Sequence, residues 1–317
     1  MLPLNKINHT NFEEEALKVF KFQAENIAVY KNYLNTLKVK IADIKTIADI
    51  PFLPISFFKT HNIALKNKTD ITFLSSGTTQ KNRSKHHIND ISIYEKSFTL
   101  GFNHFYGNYQ DYCIQALLPS YLENEQSSLI YMINYFIKNS THPSSGFVTE
   151  AELINNAEKL KNEKVLLIGV SYALLDLAEK TSIDLGNYII METGGMKGRR
   201  KEWTRDELHQ VYNKSFNTKK IHSEYGMTEL LSQAYSKGNG IFYTPPWMKI
   251  LTRPFNEPFS QQQYGQTGVL KVIDLANINS CSFIETADLA KAYPNNSFEI
   301  LGRIDFEDIR GCNLLIS

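Results

Sequence analysis

The run Val165-Leu166-Leu167-Ile168-Gly169-Val170 carries no polar side chain. It reads as a strand buried on both faces rather than one with alternate residues facing water. A helical stretch from Tyr172 to Glu179 follows it, and the same alternation recurs along the chain. Ile71 to Leu74 reads as a strand, Ile91 to Phe105 as a helix and Tyr112 to Leu118 as a strand. Ser127 to Ile137 reads as a helix and Tyr188 to Met191 as a short strand. Thr204-Arg205-Asp206-Glu207 caps a helix reaching about Phe216. This alternation predicts an α/β fold whose buried strands are mostly parallel.

Upstream, Thr10-Asn11-Phe12-Glu13 has the capping-box pattern. Phe12, Ala16, Val19, Phe20, Ile27 and Leu34 follow at near-helical spacing, which predicts an amphipathic N-terminal helix. In Ile50-Pro51-Phe52-Leu53-Pro54 each proline disfavours helix in the residue before it, so the segment is expected to be extended. After Tyr225 the texture changes. Met248 to Leu251, Gly268 to Ile273, Cys281 to Glu285 and Phe298 to Leu301 are short strands between Pro, Gly, Asn and Gln. An antiparallel or barrel-like unit packed on the α/β part is expected there. With no internal repeat or evident linker, residues 1–317 are expected to form a single domain. Within it, residues 1–220 are the α/β part and 221–317 the loop-bearing, β-rich part.

Composition excludes several classes. The 317 residues, 42% hydrophobic, can bury a large core. Lys+Arg 34 against Asp+Glu 33 leaves a net charge of +1, so nothing favours a nucleic-acid partner. The longest apolar stretches are too short to span a bilayer. Met1-Leu2-Pro3-Leu4-Asn5 lacks a basic segment followed by an apolar one, so a cytoplasmic location is expected. Cys113, Cys281 and Cys312 are few, odd in number and widely spaced, as in a reducing compartment.

Three segments carry chemistry. Ser75-Ser76-Gly77-Thr78-Thr79 follows a strand, with Lys81, Arg83 and Lys85 beyond it. Its hydroxyls and backbone N–H groups suit a polyphosphate cradle, with the cations offsetting charge. It also suits a plain polar turn, and it lacks the Gly-Lys-Ser/Thr ending of a Walker A loop. His222-Ser223-Glu224-Tyr225-Gly226-Met227-Thr228-Glu229 offers an aromatic face, a glycine, a hydroxyl and a carboxylate. Tyr225 could stack on a base, Thr228 bond a phosphate and Glu229 hold Mg²⁺, or Tyr225 could pack in the core with Glu229 solvated. Glu285-Thr286-Ala287-Asp288 precedes Gly302-Arg303-Ile304-Asp305. A carboxylate such as Asp288 can hold both hydroxyls of a ribose, and taken alone it can equally be a cap or turn residue.

Taken in order, Ser-Ser-Gly-Thr-Thr, Tyr-Gly-Met-Thr-Glu, Glu-Thr-Ala-Asp and Gly-Arg-Ile-Asp resemble the core motifs of the adenylate-forming superfamily. That group includes acyl-CoA synthetases and firefly luciferase. Asp49-Ile50-Pro51-Phe52-Leu53-Pro54, Leu118-Pro119-Ser120-Tyr121, Glu192-Thr193-Gly194-Gly195-Met196-Lys197-Gly198 and Asp308-Ile309-Arg310-Gly311-Cys312 resemble the LuxE-type acyl-protein synthetases, long-chain fatty acid–protein ligases. This second likeness covers nearly the whole chain. It implies the N-terminal part of the adenylate-forming architecture, α/β subdomains with a small β-rich C-terminal unit.

The resemblance also implies roles. Ser75, Ser76, Gly77, Thr78 and Thr79 become the phosphate loop, and Gly194 with Gly195 a wall against adenine. Tyr225 becomes the adenine-stacking ring, Thr228 an α-phosphate ligand, Glu229 the Mg²⁺ ligand, and Asp288 with Arg303 the ribose anchors. Cys312 matches the cysteine that accepts the acyl group, whereas Cys113 and Cys281 lie in apolar runs and are expected to be inert. Two departures stand out. Thr286-Ala287-Asp288 replaces the usual Thr-Gly-Asp, and no residue inherits the lysine that larger relatives carry on a C-terminal domain. Lys81, Lys85, Lys197, Arg199 and Arg200 are the available substitutes. Catalysis is assigned to Thr79, Lys197 and Cys312.

The implied reaction is ATP- and Mg²⁺-dependent activation of a carboxylic acid, of fatty type, followed by acyl transfer to a thiol. An acceptor protein or reductase is the implied partner. Two alternatives are an acyltransferase or acyl-CoA ligase without an internal acyl-cysteine, and a non-catalytic nucleotide- or acyl-binding subunit. Phe52, Phe57, Phe58 and Tyr121 could line an apolar acid pocket or serve as core.

Overall fold

The computed structural model describes residues 2–65, 69–76, 83–119, 126–194 and 203–304. The chain opens with α1 (Phe12–Asn26) and α2 (Ala28–Thr36). The expected N-terminal helix is divided, because Ile27 is extended (φ −92°, ψ 102°) and fully buried. The capping box at Thr10 is not formed. Asn8 takes the Thr10 hydroxyl and backbone N–H into a local turn, and Glu13 accepts instead from the Ile47 backbone at 3.2 Å. Short polar side chains near a helix start compete for its donors in this way.

Next come β1 (Leu53–Pro54), α3 (Phe57–Thr60), β2 (Ile71–Leu74) and β3 (Lys85–Ile88). The proline-bounded segment is extended as expected. Helix α4 (Ile91–Tyr106) starts where Asp90 accepts from the Ser92 N–H, and β4 (Cys113–Leu117) follows. Ser127 caps α5 (Ser128–Asn139); β5 (Gly146–Phe147) and α6 (Glu150–Lys159) come next. A Thr149–Glu152 capping box starts α6. Strand β6 (Val165–Val170) is buried at every position, as its composition demands. After it come α7 (Ser171–Lys180), β7 (Ile189–Thr193) and α8 (Arg205–Ser215), the last with the predicted Thr204–Glu207 box in place. Seven strands close the described chain: β8 (His222–Tyr225), β9 (Ala234–Ser236), β10 (Ile241–Tyr243), β11 (Met248–Arg253), β12 (Thr267–Asp274), β13 (Phe283–Ala292) and β14 (Ser297–Arg303).

These elements gather into two compact units, one of residues 2–65 with 246–304 and the other of residues 69–245. The change of texture after Tyr225 falls inside the second of these units. In the central unit, strands run in the order β10-β9-β8-β7-β6-β4-β5. From β8 to β5 the neighbours are parallel, with helices as crossovers, and β9 and β10 add antiparallel. Strands β2 and β3 form a separate antiparallel pair. This is the α/β fold read from the sequence.

In the other unit, β11 to β14 form an antiparallel meander, and β1 pairs parallel with β13. Strand β13 runs past the expected end at Glu285 to Ala292, so Asp288 lies inside a strand and not in a turn or cap. Neighbours on both sides supply backbone partners that the polar sequence there does not advertise. Phe52 and Phe58 are core, with Phe52 edge-on to Phe283, while Tyr121 lies outside the described residues. Gln23, fully buried on α1, donates to the Asn277 and Ile278 carbonyls and accepts from the Ser282 N–H. Among the described residues no helix is long and apolar enough to cross a membrane.

Candidate functional site

In open α/β sheets ligands gather beyond the carboxyl ends of parallel strands. Two predicted segments end there side by side. Strands β7 and β8 pair with Thr193 opposite Glu224, so the next residues, Gly194 and Tyr225, are neighbours at the strand ends. Gly194 is exposed and has φ +70°, a conformation that favours glycine whatever the available space. Its carbonyl accepts from Ser171 Oγ at 3.2 Å, at the start of α7. Tyr225 is half-buried, with its ring edge-on to Phe242 at 6.1 Å. Thr228 is half-buried and Glu229 is 5% exposed.

The β2–β3 pair reaches the same loop. His86, 1% exposed, bonds through Nδ1 to the Thr228 carbonyl at 2.8 Å. Burial pushes its imidazole down to about 4, so the ring is neutral at pH 7 and donates through Nδ1. Ser75 is held across the strand ends, its N–H donating to the Ser84 carbonyl and its Oγ accepting from the Ser84 N–H. Ser76 and Lys85 are exposed. Gly77, Thr78, Thr79, Lys81, Gly195, Lys197, Arg199, Arg200 and Cys312 lie outside the described residues.

Two carboxylates that the motif reading quoted without assigning a role precede Gly194 and Tyr225. Glu192, 4% exposed, lies 3.1 Å from Arg205 Nε and from His209 Nε2, and accepts from Ser223 Oγ at 3.1 Å. Burial pushes its carboxyl up, but His209, Arg205 and Ser223 outweigh burial and hold it below its ordinary value. Glu224, 8% exposed, accepts from the Thr193 hydroxyl. There burial prevails and lifts the carboxyl to about 7 against that one bond. The available signal was a carboxylate inside the apolar run Ile189-Ile190-Met191-Glu192, where a buried acid needs a partner.

In the other unit, Asp288 and Arg303 are cross-strand partners on β13 and β14, Asp288 half-buried and Arg303 exposed. The two predicted ribose anchors are therefore adjacent. Glu285, from the same segment, is engaged by Arg253 in a two-point ion pair with both N···O distances 2.7 Å. Lys271 lies 4.4 Å over the Phe52 ring, and burial pulls its ammonium down to about 8. Among the described residues no group of three or more His, Cys, Asp or Glu could hold a metal ion. Mg²⁺ commonly takes one or two protein carboxylates and completes its shell with phosphate and water, so it does not require such a group.

No protein-family model and no curated protein matches the sequence. Solved structures do match the fold. ATP-bound MatB from Rhodopseudomonas palustris superimposes with a TM-score of 0.52 at 13% identity, over 75% of this chain and 49% of that one. A long-chain-fatty-acid-CoA ligase (FadD1) from Archaeoglobus fulgidus gives 0.54 at 12% identity, over 79% and 54%. O-succinylbenzoate coenzyme A synthetase (MenE) from Bacillus subtilis, in complex with ATP and magnesium ion, gives 0.50 at 16% identity, over 76% and 51%. This chain spans about half the length of each of these proteins. The chain has a mixed α/β fold, that of the N-terminal part of adenylate-forming enzymes.

Proposed function

We propose that this chain activates a carboxylic acid with ATP and Mg²⁺. The carboxylate oxygen bonds to the α-phosphorus, the bond to the bridging oxygen breaks, and pyrophosphate leaves. A thiolate then attacks the acyl carbon of the mixed anhydride and AMP departs. Splitting one hard acylation into two transfers is the advantage of covalent activation. The observation that carries the reading is the side-by-side placement of Gly194 and Tyr225 at parallel strand ends, in a fold shared with ATP-bound ligases.

In this reading residues 1–317 act as one adenylate-forming domain. Gly194 and Gly195 flank adenine, Tyr225 stacks on it, and Ser75 to Thr79 with Thr228 bind phosphate. Glu229 supplies the carboxylate for Mg²⁺, which would screen phosphate charge. Asp288 and Arg303 hold the ribose, and Lys197 takes the place of the lysine carried by larger relatives. The acid is of fatty type, the chain works in the cytoplasm as an acyl-protein synthetase, and its partner is an acceptor protein or reductase. These finer statements rest on the LuxE-type resemblance. Cys312 is the acyl-accepting thiol. Supporting it, Cys113 and Cys281 are both buried, and burial pushes their thiols up to about 11 and about 12.

Incubation with ATP, Mg²⁺ and a labelled acid panel tests both halves. Hydroxylamine trapping should yield hydroxamate and AMP, and Tyr225→Ala should weaken ATP binding about tenfold or more, as loss of base stacking does. Hydroxylamine-labile label should map to Cys312 and vanish in Cys312→Ser. No AMP with any acid would refute activation. Label on another cysteine would refute the Cys312 assignment alone.

A further inference from the structure

Gly194 and Tyr225 are each preceded by a residue tied across the sheet. Register places Glu192 opposite Ser223 and Thr193 opposite Glu224. Successive side chains on a strand point to opposite faces, so the two pairs hold the strand ends from opposite sides. On one face Ser223 donates to Glu192; on the other Thr193 donates to the Glu224 carboxyl. The second pair also shapes the chain beyond it. A Cβ on Gly226 would lie 2.4 Å from Glu224 Oε1, so the carboxyl occupies the space that a side chain there would need. Gly226 is not among the glycines of positive φ, which leaves this steric demand as the reason for a glycine.

The titratable groups that face Glu224 are Tyr94 on α4 and Tyr235, its cross-strand partner on β9. Burial raises both phenols, so neither carries charge at neutral pH. Among the described residues no cation pairs with Glu224. Its hydrogen-bond partner among the described residues is the Thr193 hydroxyl.

We propose that the Thr193–Glu224 pair is a positioning device that fixes the Gly194 segment against the Tyr225 segment and so sets the width of the adenine slot. The slot itself rests on the acyl-adenylate reading; the clamp does not. Loss of this hydrogen bond should weaken ATP binding roughly tenfold, about 1.4 kcal/mol. Thr193→Val, nearly isosteric, is expected to show that loss as a raised KM for ATP with kcat largely retained. Thr193→Ser restores the hydroxyl and should restore KM. Gly226→Ala, which displaces the carboxyl, should resemble Thr193→Val.

Nucleotide-free hydrogen exchange supplies the independent readout. Thr193→Val should speed exchange of the Met191–Gly194 and Gly226–Thr228 amides, and Thr193→Ser should not. Unchanged exchange in Thr193→Val overturns the clamp, as does a Thr193→Ser variant no better than Thr193→Val. Faster exchange with an unchanged KM overturns the positioning role. A wild-type protein that ignores ATP overturns the acyl-adenylate reading, and the exchange rates then decide the clamp by themselves.

Discussion

The two faces of the β7–β8 strand ends treat a buried carboxyl in opposite ways. On one face Glu192 meets Arg205 and His209, brought by α8, and is held in the charged form. On the other, one strand position along, Glu224 meets, among the described residues, the Thr193 hydroxyl and two phenols, and its carboxyl rises to about 7. Burial is similar, 4% and 8% exposed, so burial does not decide the outcome. The arrival of a cation does. Desolvation alone favours the neutral acid, and a nearby positive charge must exceed it before the carboxylate survives. One face is thus an ion-pair hub whose removal costs stability, and the other a pH-sensitive contact.

The largest effect should come from breaking the hub. Arg205→Met leaves Glu192 with His209 and the Ser223 hydroxyl and should destabilise the protein by about 3 kcal/mol, near the low end for a broken buried pair because Arg205 retains some exposure. Adding Glu192→Gln should recover most of that loss. Denaturant unfolding reads both, and a loss below about 1 kcal/mol in the single variant would assign the charge balance to His209.

Next in size is the pH response of Glu224. Its folded pKa of about 7 exceeds its ordinary 4.5, so between those values the native state binds more protons than the unfolded chain. Stability therefore falls as pH rises through that window, by as much as roughly 3 kcal/mol, and is flat on either side. Burial presses His86 and His222 down to about 4, and they act in the opposite sense over an overlapping range. The readout is thus the difference between wild type and Glu224→Gln. The variant should gain on the wild type from pH 4.5 to 7, and parallel stability curves would show that Glu224 is charged when folded.

The smallest effect sharpens the comparison from a distance. Thr204 caps α8, which carries Arg205 and His209 to Glu192. Thr204→Ala should cost about 1 kcal/mol, the usual worth of an N-cap. In the Arg205→Met background the cost should shrink, because a loosened helix start has less charge to place. Full additivity in denaturant unfolding would separate the cap from the hub.

Much of the framework was legible along the chain. The polarity of Val165–Val170 demanded a strand buried on both faces, and the Thr204 box marked the start of α8 to the residue. Local reading failed where a side chain had a choice of partners. Thr10 resembled a helix cap, yet Asn8 claimed its hydroxyl; Asp288 resembled a turn residue, yet β12 and β14 carry the strand past it. The motif residues Gly194 and Tyr225 were given roles by pattern, whereas Glu192, two positions before Gly194, and Glu224, one before Tyr225, were quoted in the same segments without one.

The sequence by itself determined the alternation of buried strands and capped helices, and the order of the nucleotide-type segments along it. Those depend on periodicity, caps and turn residues, all of which act over a few positions. Only the tertiary structure decided that Gly194 and Tyr225 end adjacent strands, that Asp288 faces Arg303 across a ladder, and that Arg205 reaches Glu192 while no described cation reaches Glu224. Charge state and alignment depend on distances between residues far apart in the chain. Electrostatic energy varies with separation and local dielectric, and neither is a property of any single segment.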